Sequence, residues 1–486
     1  MGVPKTRKFL TMGQFLRDDY ITTHNNSLNN LRRGVGERVL YTDRNLTPCI
    51  KPKVGIFSAR CASYSRAVAK LVGKQSPVTR DRFVDYYKGR RHTIYRRAAD
   101  GLVLKPVRPR DAYVTTFVKA EKVNLSIKPD PAPRVIQPRN PRYNVEVGKY
   151  LLPVEHKVYD AIDEVFGSPT IMSKYNAFDQ ASVLRAKWEK FHTPVCVGLD
   201  ASRFDQHVSV PALKFEHEFY YQLFGKRREL TSLLQCQLLN IGFARASDGC
   251  FSYKKSGSRM SGDMNTSLGN KFLMCGMAKS YLDSLQFKYE FVNNGDDCLV
   301  LCEKKDLGKL SGMKSYFRDF GFKIVTETPV FEFEHIEFCQ CRPLLSNGVW
   351  RMIRNVRTCL LKDVTNVSVG IDTRQYRAWL FDVAACGQSF CADVPVMGEF
   401  YRMLHRFGER GRYNGDDALF NCYRTLSKNA KTTAVNPDTN ARYSFWLQTG
   451  ISPDAQKELE KYFKNSVWGG DKRQLIENIH HLLNGT

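Results

Sequence analysis

Tyr289-Glu-Phe-Val-Asn-Asn-Gly-Asp-Asp-Cys-Leu-Val-Leu301 is the stretch on which the reading of this chain turns. Two short apolar runs meet at Asn294-Gly295, a strong short-range signal for a tight β-hairpin. Asp296 and Asp297 follow at its tip. Adjacent carboxylates repel each other and call for a strong cation. The string Asn-Gly-Asp-Asp recurs at Asn414–Asp417, between Arg410, Arg412 and an apolar set at Leu419, Cys422, Tyr423 and Leu426. That spacing is helical, and acidic residues ahead of it suit a helix N-terminus. The first copy therefore reads as a metal site and the second as a cap. Taken alone, either string also fits a solvated turn, so the neighbours decide.

Upstream, Asp200 closes the apolar run Val195–Leu199, a buried-strand candidate, and Asp205 follows five residues later. A carboxylate at the end of a buried strand is costly unless paired or metal-bound. If this strand lies beside the hairpin, Asp200 joins Asp296 and Asp297. Three such carboxylates suit two Mg2+ ions that clamp the attacking and leaving oxygens of a phosphoryl transfer. A third piece is Ser261-Gly-Asp-Met-Asn-Thr-Ser-Leu-Gly-Asn270, entered through Gly257, Ser258 and Gly262. Asp263, Thr266 and Asn270 fall on one helical face, with Met264, Leu268, Phe272 and Cys275 opposite. Uncharged Thr and Asn side chains suit the hydroxyls of a sugar; an ordinary amphipathic helix is the plainer reading.

Charge is unevenly spread. The net charge is +25 over 486 residues; residues 1–150 hold 31 Lys and Arg against 11 Asp and Glu, and residues 151–400 hold 30 against 29. A basic first third points to a polyanion-binding surface. Within it, Lys119, Lys122, Lys128, Arg134, Arg139 and Arg142 are interleaved with Pro129, Pro131, Pro133, Pro138 and Pro141. Proline at that density stiffens an extended backbone, and Thr115–Val118 and Val135–Ile136 read as strand pieces. Basic residues mixed with Tyr, Phe and Pro, without a dominant amphipathic helix, favour nucleic acid over a lipid surface. The 14 cysteines contain no C-x-x-C pair, so buried thiols in a reducing compartment are expected. No apolar run is long enough to span a bilayer.

Elsewhere the pattern predicts helices over 61–100, a helix opened by Ser209 and Pro211, and a helix from Asp306 to about Gly321. Strands are expected at Phe322–Val325 and His335–Cys339. Helices are expected to prevail after 343, starting at Asp372, Ser452-Pro453 and Asp471, with a last apolar stripe from Leu475 to Leu483.

In this order and spacing the pieces resemble the viral RNA-dependent RNA polymerases. Asp200 and Asp205 match the first palm motif, Ser261, Gly262, Thr266 and Asn270 the second, and Gly295-Asp296-Asp297 the third. Lys128-Pro … Arg134-Val-Ile-Gln-Pro-Arg139 … Tyr143-Asn-Val-Glu, together with Ile336-Glu-Phe-Cys-Gln340, is most similar to the tombusvirus group and its umbravirus-like relatives. The resemblance implies an α+β right-hand fold with an antiparallel palm sheet. Residues 1–194 would form an N-terminal extension and basic fingers, 195–205 and 256–342 palm, 206–255 fingers and palm, and 343–486 a mostly helical thumb.

It further implies RNA-templated RNA synthesis for a positive-strand virus, with two Mg2+ ions as cofactors and Mn2+ as a substitute. Asp200, Asp296 and Asp297 would be catalytic and metal-binding. Asp205 and Asn270 would read the ribose 2′-hydroxyl, and Ser261, Gly262 and Thr266 would lie at the nucleotide. Arg134, Lys119, Lys122 and Lys128 would neutralise the triphosphate. Arg139, Arg142 and the Phe338, Cys339, Gln340 hairpin would contact RNA. The implied partners are template and product RNA, nucleoside triphosphates and a membrane-associated viral or host replication factor, in host cytoplasm at a membrane replication site. Two alternatives share parts of this reading: a Mg2+-dependent nuclease or other phosphoryl transferase, and a non-catalytic RNA-binding protein. The sequence departs from the family pattern after the fourth palm motif, where a lysine serves as general acid. Glu327–Phe331 contains no lysine, and Lys323 is the nearest.

Overall fold

The carboxylate hairpin and the strand ending in Asp200 fold into one sheet. The computed structural model describes residues 6–7, 10–12, 15–16, 19–367, 372–411, 426–430 and 436–469. The second Asn-Gly-Asp-Asp string, the Asp471 start and the Leu475–Leu483 stripe lie outside these residues.

In chain order, the elements that frame the site begin with helix α1 (Ile56–Val72), strands β1 (Val114–Val118) and β2 (Val135–Ile136), and helix α2 (Glu155–Phe166). Strand β3 (Pro194–Ala201), helix α3 (Val210–Phe224), strands β4 (Leu239–Ala246) and β5 (Gly249–Ser256), and helix α4 (Thr266–Ser284) follow. The hairpin β6 (Tyr289–Asn294) and β7 (Asp297–Glu303) precedes β8 (Ile324–Thr326). A second hairpin, β9 (Cys341–Ser346) and β10 (Val349–Arg354), leads to helices α5 (Thr373–Cys391), α6 (Met397–Phe407), α7 (Thr439–Thr449) and α8 (Pro453–Asn465). Ser209, Asp372 and Ser452 cap their helices as expected, each side chain accepting a backbone N–H.

The central sheet has the order β8-β3-β7-β6, all antiparallel. Strands β3, β6 and β7 are buried on both faces over most of their length, which explains their nearly continuous apolar sequence. Because side chains alternate along a strand, Val195, Val197 and Leu199 of β3 join Cys298 and Val300 of β7 in a core with α1, α2, α3 and α4. Cys196, Leu299 and Leu301 face the other way, toward Phe333, Phe338, Trp379 and the helices after 372. Each fully buried Val or Leu side chain contributes about 1.5–3 kcal/mol, so the floor carrying the aspartates is anchored from both sides.

A second sheet, β2-β1-β4-β5, carries the proline-rich segment: Phe117 pairs with Ile136, and β1 runs parallel to β4. The N-terminal segment ties distant parts together. Leu10–Thr11 pairs with Thr365–Asn366, and Ile21–Thr22 pairs with Val123–Asn124.

Four expectations are corrected. The Asp306 helix is a 3-10 helix over Lys304–Gly312 followed by an α-helix over Met313–Asp319; Gly308 and Gly312 weaken a continuous α-helix there. His335–Cys339 is not a strand: a 3-10 turn at Phe333–His335 runs into a tight turn at Cys339-Gln340. The region after 343 opens with the β9–β10 hairpin, because Asn347 and Gly348 both adopt positive φ (49° and 74°). Asp263 precedes α4 instead of sharing its face, and α4 is buried nearly all round. No helix among the described residues is long and apolar enough to cross a membrane, and eight of the described cysteines are buried.

Candidate active site

Pairing of β3 with β7 sets Asp200 directly opposite Asp297, and β8 places Val325 on the other side of Asp200. Residues opposite each other share a face, so both carboxylates continue the face that is dry further along the strands. The β6–β7 turn is two residues, with Gly295 at φ 85°, a conformation glycine adopts without steric cost. The buried Asn293 braces this turn from within: its Nδ2 donates to the Gly295 carbonyl (2.7 Å) and its Oδ1 accepts the Gly295 N–H (3.1 Å). The Asp296 carbonyl accepts the Ala201 N–H at 3.3 Å. Asp296 thus projects from a turn clamped at two points.

Burial pushes the Asp297 carboxyl up to about 7, helped by the charges of Asp296 and Glu327 and opposed by the Cys339 N–H, which donates to Asp297 Oδ2 at 2.8 Å. Cys339 and Gln340 both sit at positive φ (51° and 61°), which costs about 1–2 kcal/mol per residue. The buried Phe338 exchanges two 2.9 Å backbone bonds with Cys341 and holds that turn in place. Asp296 also titrates above the ordinary aspartate range: burial is the main cause, the charge of Asp200 adds to it, and Arg134 and Lys271 oppose it. Its oxygens open into a cavity, yet protein walls limit their hydration.

Helix α4 brings Asn270 to Asp205, with Nδ2 donating to Oδ1 at 2.7 Å. Burial raises the Asp205 pKa, and this bond and the Arg259 charge pull it back. Ser261 Oγ accepts the Gln137 N–H at 2.9 Å, and Gly262 lies so close to Pro138 that a Cβ would collide with its backbone. The loop therefore packs onto the proline-rich segment. Thr266 turns its hydroxyl inward, donating to the carbonyls of Met260 (3.1 Å) and Asp263 (2.9 Å).

These groups line a cavity of about 1300 Å³. Asp200, Asp205, Asp296, Ser261, Thr266 and Asn270 lie on its walls, as do Arg134, Lys119 and Lys128. The other expected residues lie elsewhere. Lys122 donates to the Lys362 carbonyl (2.7 Å) and stacks over Trp379, joining the basic segment to α5. Arg139 is a correction to the expected RNA contact: its side chain is fully buried, pairs with Asp263 and donates to Asn240 Oδ1 at 2.6 Å. Arg142 is directed to the Lys105 and Pro106 carbonyls and Asp111. Phe338 is core, while Cys339 and Gln340 form the turn behind Asp297.

Several residues of the site were not anticipated. Arg33, Arg38, Arg44 and Arg203 add positive charge to the cavity wall. Burial, with Arg203 and Arg134 nearby, lowers Arg38 to about 10. Glu327 lies against Gly198, where a Cβ would collide with its carboxyl. Its pKa is raised by burial and then by Glu337 and Asp200. A glycine inside an otherwise apolar strand is the signal of that close approach.

Aspartates paired at the ends of two central antiparallel strands, a helix presenting Asn270 to Asp205 and a cationic wall lie around one cavity. The family model for viral RNA-dependent RNA polymerases matches residues 1–468. The chain belongs to that family. It is 45% identical over 480 residues (96% of this chain, 65% of the relative) to the RNA-directed RNA polymerase of Tobacco necrosis virus (strain A). It is 41% identical over 450 residues (91% and 58%) to that of Turnip crinkle virus, and 42% identical over 448 residues (91% and 46%) to that of Maize chlorotic mottle virus. The chain thus spans between about half and two-thirds of the length of these curated relatives. Members of this family are generally metal-dependent, and the donor set here is all oxygen, suited to a hard divalent cation. Among the described residues no three His, Cys, Asp or Glu side chains are gathered into a ready-made cage. That is compatible with Mg2+, which is typically held by one or two carboxylates, waters and substrate phosphates.

Proposed function

We propose that this chain performs RNA-templated RNA synthesis: the 3′-hydroxyl of nascent RNA attacks the α-phosphorus of a nucleoside triphosphate, and pyrophosphate leaves. The observation that carries this reading is the placement, around one cavity, of Asp200 and Asp296 on the sheet, the Asn270–Asp205 pair on the helix side, and Arg134 with Lys119 and Lys128 on the cationic wall. In this reading the sheet is the palm, the basic first third supplies fingers, and the helices after 372 form the thumb.

Asp200 and Asp296 would hold the divalent cations, two Mg2+ with Mn2+ able to replace them, and Asp297 supports Asp296 from behind. When bound, the cations would lower the pKa of the attacking hydroxyl and neutralise charge on the phosphates. Arg134, Lys119 and Lys128 meet the triphosphate and stabilise negative charge that grows on the departing pyrophosphate. A ribose 2′-hydroxyl is both donor and acceptor; Asp205 accepts a hydrogen bond from it while Asn270 donates one to its oxygen. Gly262 sets the loop against the proline-rich segment, Thr266 ties the loop to itself, and Ser261 Oγ presents its remaining hydrogen-bonding capacity to the cavity.

Template and product RNA are the macromolecular partners of this reading. A membrane-associated replication factor of viral or host origin would bring the chain to its site of work on cytoplasmic membranes. The test is a paired assay with one RNA: incorporation of labelled nucleotide against degradation of labelled strand, in Mg2+. Template-length product supports the polymerase reading; fragments without incorporation would make the site a nuclease.

A further inference from the structure

We propose that the buried Glu216–Arg259 ion pair fixes the orientation of the Asn270 amide and, through it, the preference for ribose over 2′-deoxyribose nucleotides. This rests on the polymerase reading of the site and adds positioning residues to it.

An asparagine amide has nearly isosteric ends, one accepting and one donating. Which end faces a substrate hydroxyl must be imposed from behind. Arg259 Nε donates to Asn270 Oδ1 at 3.1 Å, a bond only the oxygen can accept. Nδ2 is thereby turned to Asp205 Oδ1 at 2.7 Å. A flipped amide would set N–H against the guanidinium and oxygen against the Asp205 carboxylate, so both neighbours reject it.

Arg259 is itself held rigidly. Its side chain is fully buried against the equally buried Glu216. The remaining Glu216 oxygen accepts from Tyr220 Oη (2.7 Å) and Asn265 Nδ2 (2.5 Å). Gly269, one residue before Asn270, has no Cβ, and one there would collide with both Arg259 and Glu216. The glycine lets the pair lie flush against the first turn of α4. Stability alone does not account for this arrangement, because exchanging a buried ion pair for apolar residues is often neutral or stabilising. Orientation of the Asn270 amide, which lines the cavity, does account for it.

The test compares kcat/KM for ATP and 2′-dATP on a uridine template. Arg259→Lys keeps a charge for Glu216, but one ammonium group cannot reproduce the guanidinium fork that serves both neighbours. The ATP preference is expected to fall about tenfold, the worth of one well-placed hydrogen bond, mainly through KM for ATP, while incorporation of 2′-dATP is retained. In an Asn270→Ala background the same substitution causes no further fall, because both act through one amide. Equal losses for the two nucleotides, or losses that multiply in the double variant, would overturn the proposal. If Arg259→Lys does not fold, Gly269→Ala, which displaces the pair, takes its place: a selective fall for ATP supports the proposal, and equal losses overturn it. A wild-type chain that makes no RNA refutes the polymerase reading instead, before any ratio is taken.

Discussion

Replacing Asp297 with asparagine should stabilise the metal-free protein while impairing the site. Asn Oδ1 can still accept the Cys339 N–H, so the bond is kept and only the charge is removed. Burial lifts the folded-state carboxyl to about 7 from an ordinary value of 3.8. Below about pH 3 the carboxyl is protonated in both folded and unfolded chains and costs nothing. Between pH 4 and 7 the unfolded chain ionises first, so stability is lost as pH rises, and the loss is complete by pH 8. At about 1.4 kcal/mol per pH unit of that interval, and allowing for water in the cleft, the penalty is about 2–4 kcal/mol. Asp297→Asn should therefore raise the apparent unfolding midpoint by a few degrees at pH 8 in EDTA, and by much less at pH 4.5. Added Mg2+ should narrow the difference at pH 8 by stabilising the wild type. A variant no more stable than wild type at pH 8, or equally stabilised at both pH values, would refute the electrostatic reasoning.

Two further outcomes follow from the placement of the cations. Arg139→Ala leaves the Asp263 carboxylate buried without its partner, which costs about 3–5 kcal/mol; urea unfolding should show this, whereas an RNA contact at the surface would leave stability unchanged. If about six phosphates are neutralised by the cavity wall, log K for single-stranded RNA should fall with log salt at a slope of about −4; salt-insensitive binding measured by fluorescence anisotropy would contradict a cationic channel.

The parts of this fold written in local chemistry were legible in the sequence. The β6–β7 hairpin follows from apolar runs around Asn294-Gly295, and β3 from the run Val195–Leu199, four apolar residues and Gly198, before Asp200. Asn347-Gly348 carries the same turn chemistry, yet the helix-rich composition after 343 masks it. Side-chain destinations were less legible. Lys119, Arg134 and Arg139 are equivalent cations in a sequence; only the fold reveals that Arg139 finds a buried Asp263, 124 residues away, while Arg134 stays half exposed at the cavity. Lys122 is likewise captured by a carbonyl 240 residues on. Glu327 and the Glu216–Arg259 pair left only indirect traces, in Gly198 and Gly269, where a missing Cβ makes room for a distant partner.

In the proposed reading Asp296, at the tip of the first Asn-Gly-Asp-Asp string, does the chemistry together with Asp200. The direct measurement is primer-free synthesis on a defined RNA template in Mg2+, comparing wild type with Asp296→Asn and Asp416→Asn. Template-length product is expected from wild type and Asp416→Asn, and none from an Asp296→Asn protein that unfolds cooperatively. Synthesis by Asp296→Asn at the wild-type rate would contradict that reading.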